Sequence, residues 1–341
     1  MVTIKQLARM AGVSPTTVVN VLHGRVYKMK DETLQKVKRI IEETKYVPNM
    51  GGRLLANYGS RIIGVIISHE KRDSRNVTRG PFFSEIIGSL EASIRKNGYY
   101  MMLYAAANVE ESLLMAGAWN LEGLIVLGCH MEECRQFLNN TSLPLVFIDS
   151  YFPDDNLPYA CVGLEDRKGG YLMTRYLIEK GHKNICFLSV GNPERGVFYE
   201  RYCGFRQAME EERLPVQKSD YLSLPYEPDR VLDFYRDFMS GPIRNYTALF
   251  FALDLAALHA ISLFQRNGIQ VPEHISVSGF DGNIFSSLFN PSLTTIQQNV
   301  SEKAEQAANM LIHLIRKEEP AQRIIRQNVS ITEGNSVKDI R

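Results

Sequence analysis

Thr16, Thr17 and Asn20 fall within one stretch, TIKQLARMAGVSPTTVVNVL at residues 3–22. Hydroxyls and an amide at that spacing can hydrogen-bond to base edges in a major groove, if a helix presents them on a free face. A second set lies far along the chain. Phe147-Ile148-Asp149 and Gly279-Phe280-Asp281 each end an apolar run in a carboxylate. Open α/β sheets bind ligands just past the carboxyl ends of their parallel strands. Two such sheets facing each other would aim Asp149 and Asp281 into one cleft; the plainer alternative is that each caps a turn. This is chemistry of recognition rather than of bond breaking. The sequence has no Gly-x-Ser-x-Gly elbow, P-loop, Gly-x-Gly-x-x-Gly run or metal-spaced histidine pair. We therefore expect no catalytic residue, no cofactor and no metal.

The elements that must position these residues follow from spacing. Thr3 and Gln6 have the spacing of a capping box, so a helix starts at Ile4. Ile4, Leu7, Ala8 and Ala11 give it one apolar face. Gly12 can take the positive φ of a sharp turn. Ser14 suits the N-cap of a second helix and Pro15 its first position. Val18, Val21 and Leu22 are that helix's apolar stripe. The pattern predicts a helix-turn-helix whose second helix leaves Thr16, Thr17 and Asn20 outward; an ordinary αα-hairpin is the alternative. His23-Gly24-Arg25 then stops the helix and opens a basic loop. A third helix over residues 31–45 buries Leu34, Val37, Ile40 and Ile41, and Val47-Pro48-Asn49 closes the unit. Residues 50–57 read as a short helical segment, too short to be stable alone in water. Gly51 and Gly52 weaken it by roughly 2 kcal/mol together relative to alanines. We expect this segment to need a partner to hold it helical.

From residue 61 the pattern changes to short apolar strands alternating with helices, at 62–67, 99–104, 122–127 and 143–148, then again at 185–190, 221–224, 247–253 and 275–280. Alternation of this kind implies parallel sheets with helices on both faces. The fold class expected is a small all-α helix-turn-helix headpiece plus an α/β core of two Rossmann-like parallel-sheet subdomains.

The totals agree. The 341 residues are enough for two or three domains. The net charge of +1 hides a division: residues 1–60 carry ten basic and four acidic side chains, net +6, and the remainder is −5. A basic head on an acidic body suits a head that meets a polyanion. Five scattered cysteines without a Cys-x-x-Cys suit a reducing compartment, and Cys129, His130 and Cys134 lack a fourth ligand at zinc spacing. The sequence offers neither an apolar leader nor a run long enough to span a membrane, so we expect a cytoplasmic protein.

Further motifs recur in order: Thr3-Ile4-Lys5, Ala11-Gly12-Val13-Ser14, Thr17-Val18, Val21-Leu22, Tyr46 with Asn49, Pro81-Phe82-Phe83, Glu122-Gly123-Leu124-Ile125, Gly170-Tyr171, Gly181-His182, Arg201 with Gly204-Phe205, Gly279-Phe280-Asp281, and Leu293-Thr294-Thr295-Ile296. With these the chain resembles, over nearly its whole length, the lactose-repressor (LacI/GalR) family of bacterial transcription regulators. The resemblance implies a homodimer on a pseudo-palindromic double-stranded operator. It also implies a core of the periplasmic-binding-protein type that binds a small-molecule effector, usually a carbohydrate. The expected domains are a headpiece at 1–46, a hinge at 47–60 and a core at 61–341. The core divides into an N-subdomain (about 61–160 and 290–322) and a C-subdomain (about 161–289 and 323–341), with crossovers near 160, 290 and 323.

By position, the expected DNA contacts are Thr3, Ser14, Thr16, Thr17, Asn20, His23, Arg25, Asn49, Arg53 and Leu55, the last as a minor-groove wedge. Where the family usually has Ser-Arg or Ser-His, this chain has Val19-Asn20, and Asn suits adenine rather than guanine. The expected effector contacts are Phe82, Phe83, Asp149, Arg201, Tyr226, Asp254, Asp281 and Gln298. Leu253-Asp254 stands where the family often has Asn-Asp, so the ligand need not be a simple hexose. Residues 69–80 form a long basic stretch, expected as a loop at the cleft mouth. A transported-sugar receptor would share the core but need no residues 3–57, and a cleft enzyme leaves the head unexplained.

Overall fold

The computed structural model describes residues 2–22, 26–27, 29–46, 59–68, 80–151, 159–190, 195–225 and 227–341. His23, Arg25, Asn49, Arg53, Leu55 and Tyr226 lie outside the described residues, as do residues 47–58 of the hinge and 69–79 of the long basic stretch. The chain divides into two compact units, residues 1–60 and 61–341.

Among its described residues the first unit holds three helices, α1 (Ile4–Ala11), α2 (Pro15–Leu22) and α3 (Asp31–Glu43). Leu7, Ala8, Ala11, Val18, Val21 and Val37 bury themselves as its core, with Leu34, Ile40, Ile41 and Tyr46 packed at the edge. The third helix stops two residues short of the expected end. Thr44 turns its hydroxyl back to donate to the Ile40 carbonyl at 2.6 Å, and Lys45 takes a positive φ.

The second unit holds two six-stranded sheets. The first contains β1 (Ile62–Ser68), β2 (Tyr100–Ala106), β3 (Gly123–Leu127), β4 (Leu145–Ile148), β5 (Cys161–Leu164) and β11 (Ile324–Gln327), in the order β11-β5-β4-β3-β1-β2. The second contains β6 (Ile185–Val190), β7 (Tyr221–Leu224), β8 (Ala248–Phe251), β9 (Ser276–Asp281), β10 (Thr294–Gln297) and β12 (Ser330–Thr332), in the order β12-β10-β9-β8-β6-β7. Among the described residues all pairings are parallel except β10 with β12. Strands covered on both faces read as continuous apolar runs, and β3 and β4, GLIVL and LVFI, are buried at every position.

Helices α4 (Pro81–Lys96) and α12 (Val300–Ile315) cover one face of the first sheet. Helices α5 (Val109–Ala118) and α6 (Met131–Asn140) cover the other. On the second sheet α7 (Asp166–Glu179) and α8 (Gly196–Glu211) pack on one face. Helices α9 (Pro228–Ser240) and α10 (Asp254–Arg266) pack on the opposite one. A short helix, α11 (Ile284–Leu288), follows β9.

The strand pairings locate the crossovers. β5 pairs with β4, so the chain leaves the first sheet only after Leu164. β10 pairs with β9, and the return falls between Gln297 and Val300. β11 pairs with β5, so the last crossing comes between Gln327 and Ser330. Each lies a few residues past 160, 290 or 323, because a three- or four-residue strand joins whichever sheet edge it reaches. Its local sequence does not say which.

Two glycines set how closely α7 and α8 approach. A Cβ on Gly170 would collide with the Arg201 carbonyl oxygen, and one on Gly204 with that of Arg167. Backbone oxygens inside helices cannot turn aside. We expect Gly204→Ala to cost about 3 kcal/mol or more, at the upper end of overpacking effects, measured by chemical unfolding. A cost under about 1 kcal/mol would mean that the helices slide apart freely.

Candidate functional site

The head is built on its caps. Thr3 accepts from the Gln6 amide at 3.3 Å while the Gln6 side chain accepts from the Thr3 amide at 2.8 Å, the expected capping box. Gly12 takes φ 67. Ser14 accepts from the Thr17 amide at 3.1 Å, and the two hydroxyls meet at 2.9 Å. The hydroxyls of Thr3, Ser14 and Thr17 are thus engaged in starting helices. With Val18 and Val21 turned inward, Thr16 is exposed and Thr17 and Asn20 are half-buried. Lys36, Lys38 and Arg39 are exposed on α3.

In the core, Asp149 and Asp281 stand just past β4 and at the end of β9, at φ 55 and 130. Both join one polar network. The Lys303 ammonium, on α12, donates to Asp149 Oδ1 at 2.7 Å and Oδ2 at 2.9 Å, and to Gln298 Oε1 at 3.0 Å. Gln298 Nε2 donates to Asp281 Oδ1 at 2.8 Å. Arg201 Nη1 lies 3.6 Å from the same oxygen, and its Nε donates to Asp166 Oδ1 at 2.6 Å. The Tyr151 hydroxyl donates to Asp166 Oδ2 and lies 3.1 Å from the Leu164 carbonyl. Arg201 also lies flat on Phe280, 3.6 Å from the ring centroid. Phe82 stands 5.5 Å from the Lys303 ammonium and meets Phe83 edge-on.

Of the expected effector residues, the structure therefore brings together Asp149, Arg201, Asp281 and Gln298, with Phe82 and Phe83 alongside. Asp254 is placed apart from that network. It is fully buried, with Thr295 Oγ1 donating to its Oδ1 at 2.5 Å and the Asn283 amide to its Oδ2 at 3.1 Å. It opens α10, and its carboxylate braces the turn after β9. Lys303, Asp166 and Tyr151 were not anticipated. The signal for Lys303 was a lone cation on the apolar stripe of Val300, Ala304, Ala307 and Leu311. Asp166 and Tyr151 gave none. The thiols of Cys129 and Cys134 are both buried, and the Cys134 hydrogen bond pushes the Cys129 thiol pKa upward.

Burial pushes the Asp281 carboxyl up to about 7, against the pull of Arg201 and with a further push from Asp254. Burial raises Asp254 to about 6, opposed by the Thr295 hydroxyl and the Asn283 and Gly282 amides. Each carboxyl holds its proton more tightly folded than unfolded. The stability this gives is complete below about pH 4 and lost as pH rises through 6 to 7. Burial lowers His182 and His259, which works in the opposite direction with rising pH. The informative quantity is therefore the difference between Asp281→Asn and the unaltered chain. It should move in the variant's favour as pH rises through about 7, read by thermal unfolding. A difference flat with pH would contradict the raised carboxyl.

A helix-turn-helix head followed by two parallel-sheet subdomains linked through one buried polar network is the architecture of a DNA-binding regulator with a sensor core. Residues 3–49 match the model of bacterial regulatory proteins of the lacI family, and residues 174–337 match a periplasmic binding protein-like domain. The HTH-type transcriptional repressor PurR of Vibrio parahaemolyticus is 32% identical, over 100% of both chains. That of Histophilus somni is 32% identical, again over 100% of both. Among solved structures, the Lac repressor dimer bound to operator and the anti-inducer ONPF superimposes with a TM-score of 0.82 at 22% identity, covering 99% of each chain. The regulator CelR in its cellobiose complex gives 0.71 at 22%, covering 98% of this chain and 100% of that one. This chain belongs to the LacI family of bacterial regulatory proteins. It is a DNA-binding transcription regulator and not an enzyme. Among the described residues no helix is long and apolar enough to cross a membrane.

Proposed function

We propose that this chain is a cytoplasmic, homodimeric repressor. Two heads bind the halves of a pseudo-palindromic operator, and a small molecule at the cleft floor sets their affinity for it. The single observation that carries the sensing half is the polar network that joins Asp149 beyond one sheet to Asp281 and Arg201 of the other. A ligand seated there touches both subdomains and so favours one angle between them. Its effect on DNA affinity equals its differential affinity for the two core states. Headpiece, hinge and core divide at 1–46, 47–60 and 61–341.

The effector class we favour is a carbohydrate or similar polyhydroxyl molecule. Carboxylates and a guanidinium suit hydroxyl pairs, and Phe82 and Phe83 suit an apolar ring face. Structural neighbours include complexes with cellobiose and with D-xylulofuranose. With a leucine at 253, where the family often has an asparagine, one hydroxyl-binding amide is lost and the ligand need not be a plain hexose. A thermal-shift screen of sugars and nucleosides on the full-length protein should find one that raises the midpoint strongly, and that compound should change DNA affinity. If the strongest stabiliser leaves DNA affinity untouched, the reading fails.

Asn20 is assigned to a base edge. Asn20→Ala should weaken operator binding by about 1–3 kcal/mol and relax the preference at one base pair, read from a set of single-base operator variants. A uniform loss across all variants would make Asn20 a backbone contact.

A further inference from the structure

The polar network between the two subdomains forms a ring. It leaves the segment after β4 at Asp149 and passes through Lys303, Gln298, Asp281, Arg201 and Asp166 to Tyr151, two residues from its start. Asp149, Tyr151 and Lys303 belong with the first sheet. Asp281, Arg201 and Asp166 belong with the second, and Gln298 lies where the chain crosses between them. The ring is completed by the chain's own ammonium. Lys303 is 1% exposed, on a helix stripe that is otherwise Val, Ala and Leu. A buried ion pair is weak evidence for stability, since an apolar residue of similar volume usually serves as well or better. A lysine kept there calls for another role, and its position supplies one. It holds both oxygens of the carboxylate on one wall while reaching, through one amide, the carboxylate on the other.

We propose that Lys303 is a built-in stand-in for the effector's hydrogen-bond donors: it ties the two subdomains at their resting angle, and the effector acts by taking its place on Asp149. This rests on the reading of the cleft as the effector site. It also narrows the ligand. A molecule that replaces the ammonium brings Asp149 a cation or paired hydroxyl or amine donors. A phosphorylated or carboxylated molecule would set its own negative charge against the Asp149 carboxylate.

The test needs neither effector nor operator. In the full-length protein with Cys203→Ser, labels are placed at Gln136→Cys on α6 and Gln207→Cys on α8, both exposed. Labelled chains are diluted with unlabelled ones, and the distance distribution between the labels is measured. Without added ligand the distribution should be single and narrow. Lys303→Met should shift its mean beyond the original width, and Lys303→Arg should restore it. Gln298→Leu cuts the link to the second subdomain while leaving Lys303 paired with Asp149, so it should shift the mean even if Lys303→Met fails to fold. An unshifted distribution in folded Gln298→Leu or folded Lys303→Met overturns the proposal. The effector reading fails separately, through stabilising ligands that leave DNA affinity unchanged while the ring is intact.

Discussion

Arg201→Met should destabilise the core by about 3–5 kcal/mol, the cost of stranding a buried charge. Asp166 has no exposed side-chain surface, and Arg201 is its guanidinium partner at 2.6 Å. Arg201 also lies against Phe280, donates to the Ala252 carbonyl and neighbours Asp281. The planar fork makes all of these contacts at once, so Arg201→Lys should recover only part of the loss. Chemical unfolding of the full-length chain measures both. We expect the core transition to move and that of the head to stay, since the two are separate compact units. The variant should also bind the effector poorly at temperatures where it is still folded. A loss below about 1 kcal/mol would show that Asp166 is satisfied by Tyr151 alone.

The second large effect concerns assembly. Ile284 and Leu288 on α11 are 70% and 68% exposed, and Phe285, Phe289 and Leu255 stand partly exposed beside them in the sequence or at the start of α10. Large apolar side chains gathered on one surface mark an interaction site. In the homodimer proposed above, the partner that covers them is a second copy. Ile284→Glu with Leu288→Glu should leave each core folded, because neither side chain is buried in it. The pair should convert the dimer to monomers in analytical sedimentation. Operator affinity should then fall by about 10²–10⁴, the factor lost when two tethered heads become independent. A variant that stays dimeric places the interface elsewhere.

What could be read from the sequence was what short-range physics decides. Thr3 with Gln6, Gly12, and Ser14 with Thr17 act on neighbours within a turn, and each forms the cap or bend its spacing requires. The long apolar runs became central strands because only burial on both faces explains them. The carboxylates at 149 and 281 were legible because the same run-then-Asp pattern occurs twice. Illegible were contacts that join distant segments. β5 and β10 are four residues long, and their sheet membership depends on a partner, not on their own sequence. Tyr151 meets Asp166 only because the crossover brings the two together. For Asp254, a position after β8 fits a cleft residue and a buried brace equally well. The difference lies in Thr295 and the Asn283 amide, which capture its carboxylate from behind. Lys303 was legible in principle, as a charge on an apolar stripe that demands a buried partner.

Fluorescence anisotropy of the full-length protein on short duplexes tests the central claim most directly. A pseudo-palindrome selected from a random library is compared with its single half-site and with a scrambled duplex, at two salt concentrations, with and without the strongest stabilising ligand. The palindrome should be bound about 10³-fold or more tighter than the scramble, the affinity should fall steeply with salt, and the ligand should shift it. Equal affinity for palindrome and scramble, or an affinity that no stabilising ligand alters, would contradict a head that reads DNA under the control of the core.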